Sequence, residues 1–250
     1  MTDAQPARVA LVTGAAGGIG QATVRSLRAR GYAVIAEDIS PKVEELGADE
    51  AIVPLQADVS QAGTAQRAVA LARDRFGRLD LLVNNAGLFL RKPTEECTDE
   101  DFDVLMAINV RGAFSHARES LAALEATKGS IVNLASISGL IGQPGQGIYS
   151  MTKGALVQLT RQLAVEHAHR GIRVNAVAPG AVDTDFIAKG RDAAADPDPA
   201  GSRARSISNH PIGRLLTAGE IADAIVFLAS DEASGITGTI LTVDGGFTAR

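Results

Sequence analysis

The chain has 250 residues, 46% of them hydrophobic and 21% charged, with a formal net charge of −5. That length and apolar content suit one α/β domain with a full core. Basic residues are spread along the chain, which lacks the footprint of a nucleic-acid binder, and a single cysteine, Cys97, excludes an intrachain disulfide or a thiolate metal cluster.

No apolar run approaches the roughly 18–20 residues that a membrane span needs. The first residues, MTDAQPARVALVTG, carry neither the basic region nor the long apolar stretch of a signal peptide, so a cytoplasmic location is expected. The four histidines (His116, His167, His169, His210) are not at metal-ligand spacing. His167 and His169 lie two apart near a helix end, on different faces, and are expected to be solvated.

In chain order, the apolar run Arg8–Thr13 predicts a buried strand and about Gly18–Arg30 a helix. Strands follow at Ala33–Asp38 and Ala51–Gln56, a helix at about Gln61–Phe76, and a strand at Leu79–Asn84. Thr98 is a good N-cap for a long helix to about Leu124, because Asp99, Glu100 and Asp101 fill its first turn. A fifth strand is expected at Ser130–Ala135, a long helix at Ile148–His169, a sixth strand at Ile172–Ala178, a helix at Ala218–Ala229 and a last strand at Thr239–Asp244.

Alternating β and α elements with nearly all-apolar strands imply a doubly wound α/β domain over residues 1–250. Its seven-stranded parallel sheet would carry helices on both faces. One stretch breaks the rhythm. About 185–211, including DAAADPDPAGSRARS (Asp192–Ser206), has little periodicity, and so long an irregular connection predicts a mobile substrate lid.

The first strand runs into TGAAGGIG, Thr13–Gly20. Gly14 permits a tight turn, Gly18 lets the backbone approach a pyrophosphate, and Gly20 lets the helix pack closely. The helix N-terminus would then offer N–H groups to the anion. Asp38 follows Gly20 by eighteen residues, at the end of strand two. A carboxylate there accepts hydrogen bonds from the adenosine ribose and repels a 2′-phosphate, which predicts NAD over NADP. Glu37 would add a second negative charge. The bland alternative is that Asp38 merely ends a strand.

The spacing TGxxxGIG differs from the common G-x-G-x-x-G and resembles the short-chain dehydrogenase/reductase family, a Rossmann-type group. The likeness continues through NNAG (Asn84–Gly87), Asn109 in MAINVRGAF, Ser136 with Tyr149 and Lys153 in S-x12-Y-x3-K, NAVAPGAVDT (Asn175–Thr184), Gly213–Gly238 and VDGG (Val243–Gly246). It covers almost the whole chain outside Asp185–Pro211.

The resemblance implies a role for each matching position. Gly14, Gly18, Ile19 and Gly20 would hold the pyrophosphate. Asp58 and Val59 would hold the adenine, although Asp58 also suits the N-cap region of the Gln61 helix. Asn85, Ala86 and Gly87 would floor the ribose and nicotinamide. Pro179 and Gly180 would flank the ring, with Val182 and Thr184 on its carboxamide.

The catalytic set implied is Asn109, Ser136, Tyr149 and Lys153, with no metal. Tyr149 and Lys153, four apart on one helix, share a face. A nearby ammonium and the positive nicotinamide would lower the phenol from its free value of about 10, and Tyr149 would act as acid/base. Lys153 would also hold the nicotinamide ribose. Ser136 would bind the substrate oxygen, with Ser138 as rival. Asn109 would hold a water near the lysine.

The expected reaction is hydride transfer between NAD and a small secondary alcohol or ketone, such as a sugar or polyol. The alternatives are a 3-oxoacyl-thioester reductase and a catalytically silent dinucleotide-binding scaffold, which the presence of both Tyr149 and Lys153 opposes. Phe89, Leu90, Ser138, Gln143, Gln146 and Phe186 are expected to frame the substrate pocket. Arg91, Arg191, Arg203 and Arg205 are within possible reach of an acidic substrate, though exposed arginines are usually solvated. Apolar residues on Asp99–Leu124 and Ile148–His169 exceed what one sheet face can use, so a homotetramer is expected, as in the family.

Overall fold

Strand β1 (Val9–Thr13) is buried along its whole length, and its side chains divide between two cores. Ala10 and Val12 join one apolar cluster, Val9 and Leu11 the other. That is the period of two expected of a strand covered on both faces.

A computed structural model of the chain describes residues 8–186 and 199–249. Strands β1, β2 (Ala33–Asp38), β3 (Ile52–Gln56), β4 (Leu81–Asn84), β5 (Ser130–Leu134), β6 (Arg173–Pro179) and β7 (Ile240–Val243) form one sheet in the order β3-β2-β1-β4-β5-β6-β7. Every pairing is parallel, as expected.

Helices α1 (Gly18–Ala29) and α7 (Ala218–Ala229) cover one face, where Val24 and Leu27 join Ile221 and Ile225. Helices α2 (Thr64–Phe76), α4 (Ala113–Thr127) and α5 (Gly147–His167) cover the other through Ala68, Ala72, Ala117, Leu124 and Leu163. The order reverses between β3 and β4, so the loops after β1 and β4 diverge and leave a crevice at the carboxyl ends of the strands. A buried polar chain fixes α5 against that crevice. Asn84 Nδ2 donates to Asn133 Oδ1 (2.9 Å), and Asn133 Nδ2 donates to Thr160 Oγ1 on α5 (2.9 Å).

Three expectations need correction. The long helix after Thr98 is not continuous. Helix α3 (Asp99–Leu105) starts on the capping box of Thr98 and Asp101, but Met106–Gly112 is a π-helix before α4 begins. The wider turn lies where tertiary contacts are close: a Cβ on Gly112 would lie 3.0 Å from Val59 Cγ2, and Asn109 is held by the β4 loop. Helix α2 starts at Thr64, after Gly63 in the left-handed region (φ +83°), and not at Gln61. The segment expected to be irregular contains a ten-residue helix, α6 (Pro199–Ser208), in which Arg203, Ala204 and Arg205 are good helix formers. The rest of the expected lid, 187–198, lies outside the described residues. Among the described residues, no helix is long and apolar enough to cross a membrane.

Candidate active site

The turn after β1 closes the floor of the crevice. Gly14 has φ +65°, and a Cβ there would lie 2.9 Å from Ala86 Cα, so the loops after β1 and β4 touch only because Gly14 has no side chain. Asn85 secures the contact, donating from Nδ2 to the Thr13 and Gly14 carbonyls (2.9 and 3.0 Å). A Cβ on Gly20 would meet Gly14 O at 2.0 Å, so Gly20 lets α1 close onto its own turn rather than onto the sheet. A Cβ on Gly18 would meet the Thr184 methyl at 2.6 Å, which places the loop after β6 over the turn. No side chain caps α1, leaving its first N–H groups directed at the cleft.

Asp38 accepts from Ala16 N (2.9 Å) and Ser40 N (2.8 Å), one bond on each carboxylate oxygen, and stands in the cavity wall. Both readings of it hold: it ends β2 and faces the crevice. Glu37 is a correction. The pleat turns it to the opposite face, fully buried, with Oε2 3.0 Å from His116 Nε2. Burial alone would lower the His116 imidazole, but the Glu37 carboxylate outweighs it and raises it. Two cations that sequence reasoning did not place here, Arg25 and Lys42, line the cavity together with Asp38. Asp58 accepts from Ser60 N (2.8 Å) and so caps a turn, since the N-cap of α2 is Gly63.

The crevice opens into a cavity of about 1280 Å³ that also holds the catalytic candidates. Every expected cofactor-binding residue lines it, as do Ser136, Tyr149 and Lys153; Asn109 does not. Tyr149, in the first turn of α5, and Lys153, one turn on, are only 6% and 2% exposed. Lys153 Nζ donates to Leu134 O at the end of β5 (2.7 Å) and stands 5.7 Å from the centre of the Tyr149 ring.

Burial lowers Lys153 to about 8. Burial pushes the Tyr149 phenol up, and the Ser136 hydroxyl beside it pulls partway back. The protein's own groups therefore hold Tyr149 as a neutral phenol, whereas the expected lowering draws on the ammonium and the positive nicotinamide together. Desolvation is the larger effect and the Ser136 hydrogen bond offsets only part of it. The positive end of α5 acts the other way, favouring the phenolate whenever the proton leaves.

Ser136 Oγ donates to Ser138 Oγ (3.3 Å), but the two serines otherwise have different partners. Ser138 Oγ donates to Gln146 Oε1 (2.7 Å) and accepts from Gln143 Nε2 (3.0 Å), while Ser136 is the hydroxyl that acts on Tyr149. Asn109, raised by the π-helix, grips the β4 loop from both sides. Its Oδ1 accepts from Leu88 N (2.7 Å) and its Nδ2 donates to Leu88 O (2.9 Å) and Thr152 Oγ1 (3.0 Å). Gly87 keeps the space beside it open, since a Cβ there would lie 3.4 Å from Asn109 Oδ1 and 3.7 Å from Lys153 Nζ.

At the substrate end, Phe89, Ser138, Gln143, Gln146 and Phe186 line the cavity, while Leu90 is buried beneath it. His210 is a residue that the spacing gave no means of placing. It is 2% exposed, its Nε2 accepts from Ala181 N (3.0 Å), and its Nδ1 is 2.6 Å from Ser206 O on α6. A Cβ on Gly180 would meet its ring at 2.5 Å, so Gly180 makes room for the imidazole that ties α6 to the loop after β6.

The residues present fit a nicotinamide dinucleotide. A glycine-rich turn under an uncapped helix suits a pyrophosphate, and a carboxylate at the end of β2 suits a ribose diol.

Comparison with known proteins agrees with this geometry. The family model for enoyl-(acyl carrier protein) reductase matches residues 14–248. An uncharacterized short-chain type dehydrogenase/reductase of Sinorhizobium fredii is 44% identical over 97% of this chain, which spans 44% of that protein's length. The cis-4-hydroxycyclohexanecarboxylate dehydrogenase of Sinomonas cyclohexanicum is 40% identical, with 100% of both chains covered. Among solved structures, ElxO with NADP bound superposes with a TM-score of 0.88 at 32% identity, over 98% of this chain and 100% of that one.

Proposed function

The chain belongs to the short-chain dehydrogenase/reductase family, and from that premise we propose that it interconverts a small secondary alcohol and its ketone with a nicotinamide dinucleotide, NAD preferred. The observation that carries the reading is the buried convergence of Ser136, Tyr149 and Lys153 in the cavity whose floor is the Gly14–Gly20 turn.

When bound, the nicotinamide supplies or accepts the hydride. The remaining steps belong to the chain. In reduction the Tyr149 phenol gives its proton to the carbonyl oxygen, a direction favoured by the burial that keeps it neutral. Ser136 donates a hydrogen bond to the same oxygen as negative charge develops there. Lys153 orients the ribose and, while charged, favours the phenolate left behind. Asn109 holds the Leu88 backbone and, with Gly87, frames the space through which the proton is replaced. Oxidation runs the same steps in reverse. A panel of secondary alcohols with NAD, followed by absorbance of reduced nicotinamide, tests this reading. No turnover of any alcohol or ketone with either cofactor overturns it.

NAD preference rests on Asp38, whose carboxylate is anchored to the turn itself through Ala16 N. Arg25 and Lys42 line the same cavity and pull toward a 2′-phosphate. The fixed, shorter-range carboxylate is proposed to prevail. Asp38→Ala is expected to narrow the gap between NAD and NADP by about 1–3 kcal/mol. Fluorescence titration of both reduced cofactors measures it, and equal affinities in the unmutated protein would sink the preference.

A 3-oxoacyl-(acyl-carrier-protein) reductase of Thermotoga maritima is 36% identical over 96% of this chain, and that likeness favours 3-oxoacyl-thioester reduction as the second reading. NADPH-dependent reduction of an acetoacetyl thioester faster than of any simple ketone would establish it instead.

Assembly as a homotetramer is proposed from what the helices leave uncovered. Leu105, Leu156 and Leu163 are consumed by the chain's own core, yet Phe102, Phe114, Met151 and Val165 stay exposed, Val165 at 81%. Strand β7 and Phe227 are also only partly covered. Light scattering at micromolar concentration is expected to give a tetramer. A fully active monomer of 25.8 kDa would remove the proposal.

A further inference from the structure

The wall of the cavity beyond Tyr149 ends in a cation. Phe89 packs edge-on against the Tyr149 ring, centroids 5.0 Å apart, and the Arg91 guanidinium carbon lies 5.8 Å from the centre of the same Phe89 ring. The guanidinium is thus one aromatic ring away from the acid/base. Its stem is held as well. A Cβ on Gly145 would come within 3.3 Å of Arg91 Cγ, and the next residue, Lys92, donates its N–H to Gly145 O (2.7 Å). Arg91 is exposed and lines the cavity. Among the described residues no carboxylate forms an ion pair with it, in contrast to Arg203, whose two amino groups are taken by Asp183 at 2.8 and 2.9 Å.

A guanidinium placed over an aromatic ring, with no carboxylate partner among the described residues, is suited to receive a planar anion. We propose that Arg91 binds an anionic group on the substrate, so that the chain acts on hydroxy and oxo acids in preference to neutral alcohols or amines. The inference rests on the oxidoreductase reading above and narrows its substrate class. The carbonyl to be reduced lies at Ser136 and Tyr149, and the carboxylate lies across the Phe89 ring at Arg91. The apolar edge of Phe89 and the ring of Phe186, 6.1 Å from it, contact the carbon chain between them. No new chemical step is involved: hydride comes from the reduced nicotinamide and the proton from Tyr149, and the carboxylate stays intact.

The test is a ladder of oxo acids, levulinate and its two next longer homologues, each assayed beside its primary amide and its amine analogue. NADH and NADPH are both supplied. The expected result is that kcat/KM for the best acid exceeds that of its amide by about tenfold or more, that Arg91→Gln brings the ratio close to one, and that Arg91→Lys retains part of it. High salt should also reduce the ratio. Amides reduced as well as acids, or amines reduced best, would overturn the proposal while leaving the oxidoreductase reading intact. An acid preference that survives in Arg91→Gln would overturn the role of Arg91. Failure of these compounds and of every neutral ketone would remove the reading on which the proposal rests.

Discussion

Tyr149→Phe is expected to lower turnover by about a thousandfold or more, with nucleotide affinity nearly unchanged. The substitution keeps the ring, and with it the edge-on contact to Phe89 at 5.0 Å. Only the hydroxyl is lost, and with it the group proposed to donate a proton to the developing alkoxide. Ser136 remains, still bonded to Ser138, and stabilises charge without being able to supply the proton at that site. Stability should hold, because the phenol is almost wholly buried and its replacement leaves an apolar ring in an apolar wall. Steady-state rates on the true substrate, with titration of reduced nicotinamide by fluorescence, separate the two effects. Activity above about 1% of the parent would place the acid/base elsewhere. Equal loss of nucleotide binding would make Tyr149 a structural residue of the cleft.

What the residue order disclosed, and what it did not, divides along physical lines. The β-α alternation and the Gly14–Gly20 turn depend on spacing, and spacing is local. Strand alternation also made the error over Glu37 avoidable. Asp38 and Glu37 are neighbours in a strand, so only one of them can face the crevice, and Glu37 is instead buried against His116. The π-helix at Met106–Gly112 had no such signal, and the groups that meet it, Val59 and Leu88, come from other parts of the chain. His210 is joined to Ala181 by a bond across 29 residues, and no motif marks such a pair. The chain's own groups, without the nicotinamide, raise the Tyr149 phenol. The sequence shows which charge is near, whereas the shift is set by how much water has been removed.

The same desolvation makes Lys153 costly to the fold, and Lys153→Met is expected to stabilise the nucleotide-free protein near neutral pH while abolishing turnover. Burial lowers the ammonium from 10.5 to about 8. At pH 7 the folded and unfolded chains both carry the proton, so the folded state bears the full penalty of a buried charge, roughly 3 kcal/mol for such a shift. Methionine fills a similar volume without the charge. Against this, Leu134 O loses its 2.7 Å donor, which offsets part of the gain. A net stabilisation of about 1–3 kcal/mol should remain.

The pH dependence separates charge from packing. Between about 8 and 10.5 the unfolded chain holds the proton and the folded chain does not, so the unmutated protein gains stability as pH rises through this window. The variant has no such group and gains nothing from it. The difference between the two should therefore be largest at pH 7 and shrink toward pH 10. Urea unfolding at the two pH values, at one fixed protomer concentration, measures it. A variant that is less stable at pH 7, or a gap that stays constant with pH, would show that Lys153 is not a strained charge in the fold. If the gap closes as expected, the buried ammonium costs the fold stability, and its proposed role beside Tyr149 is what stands against that cost.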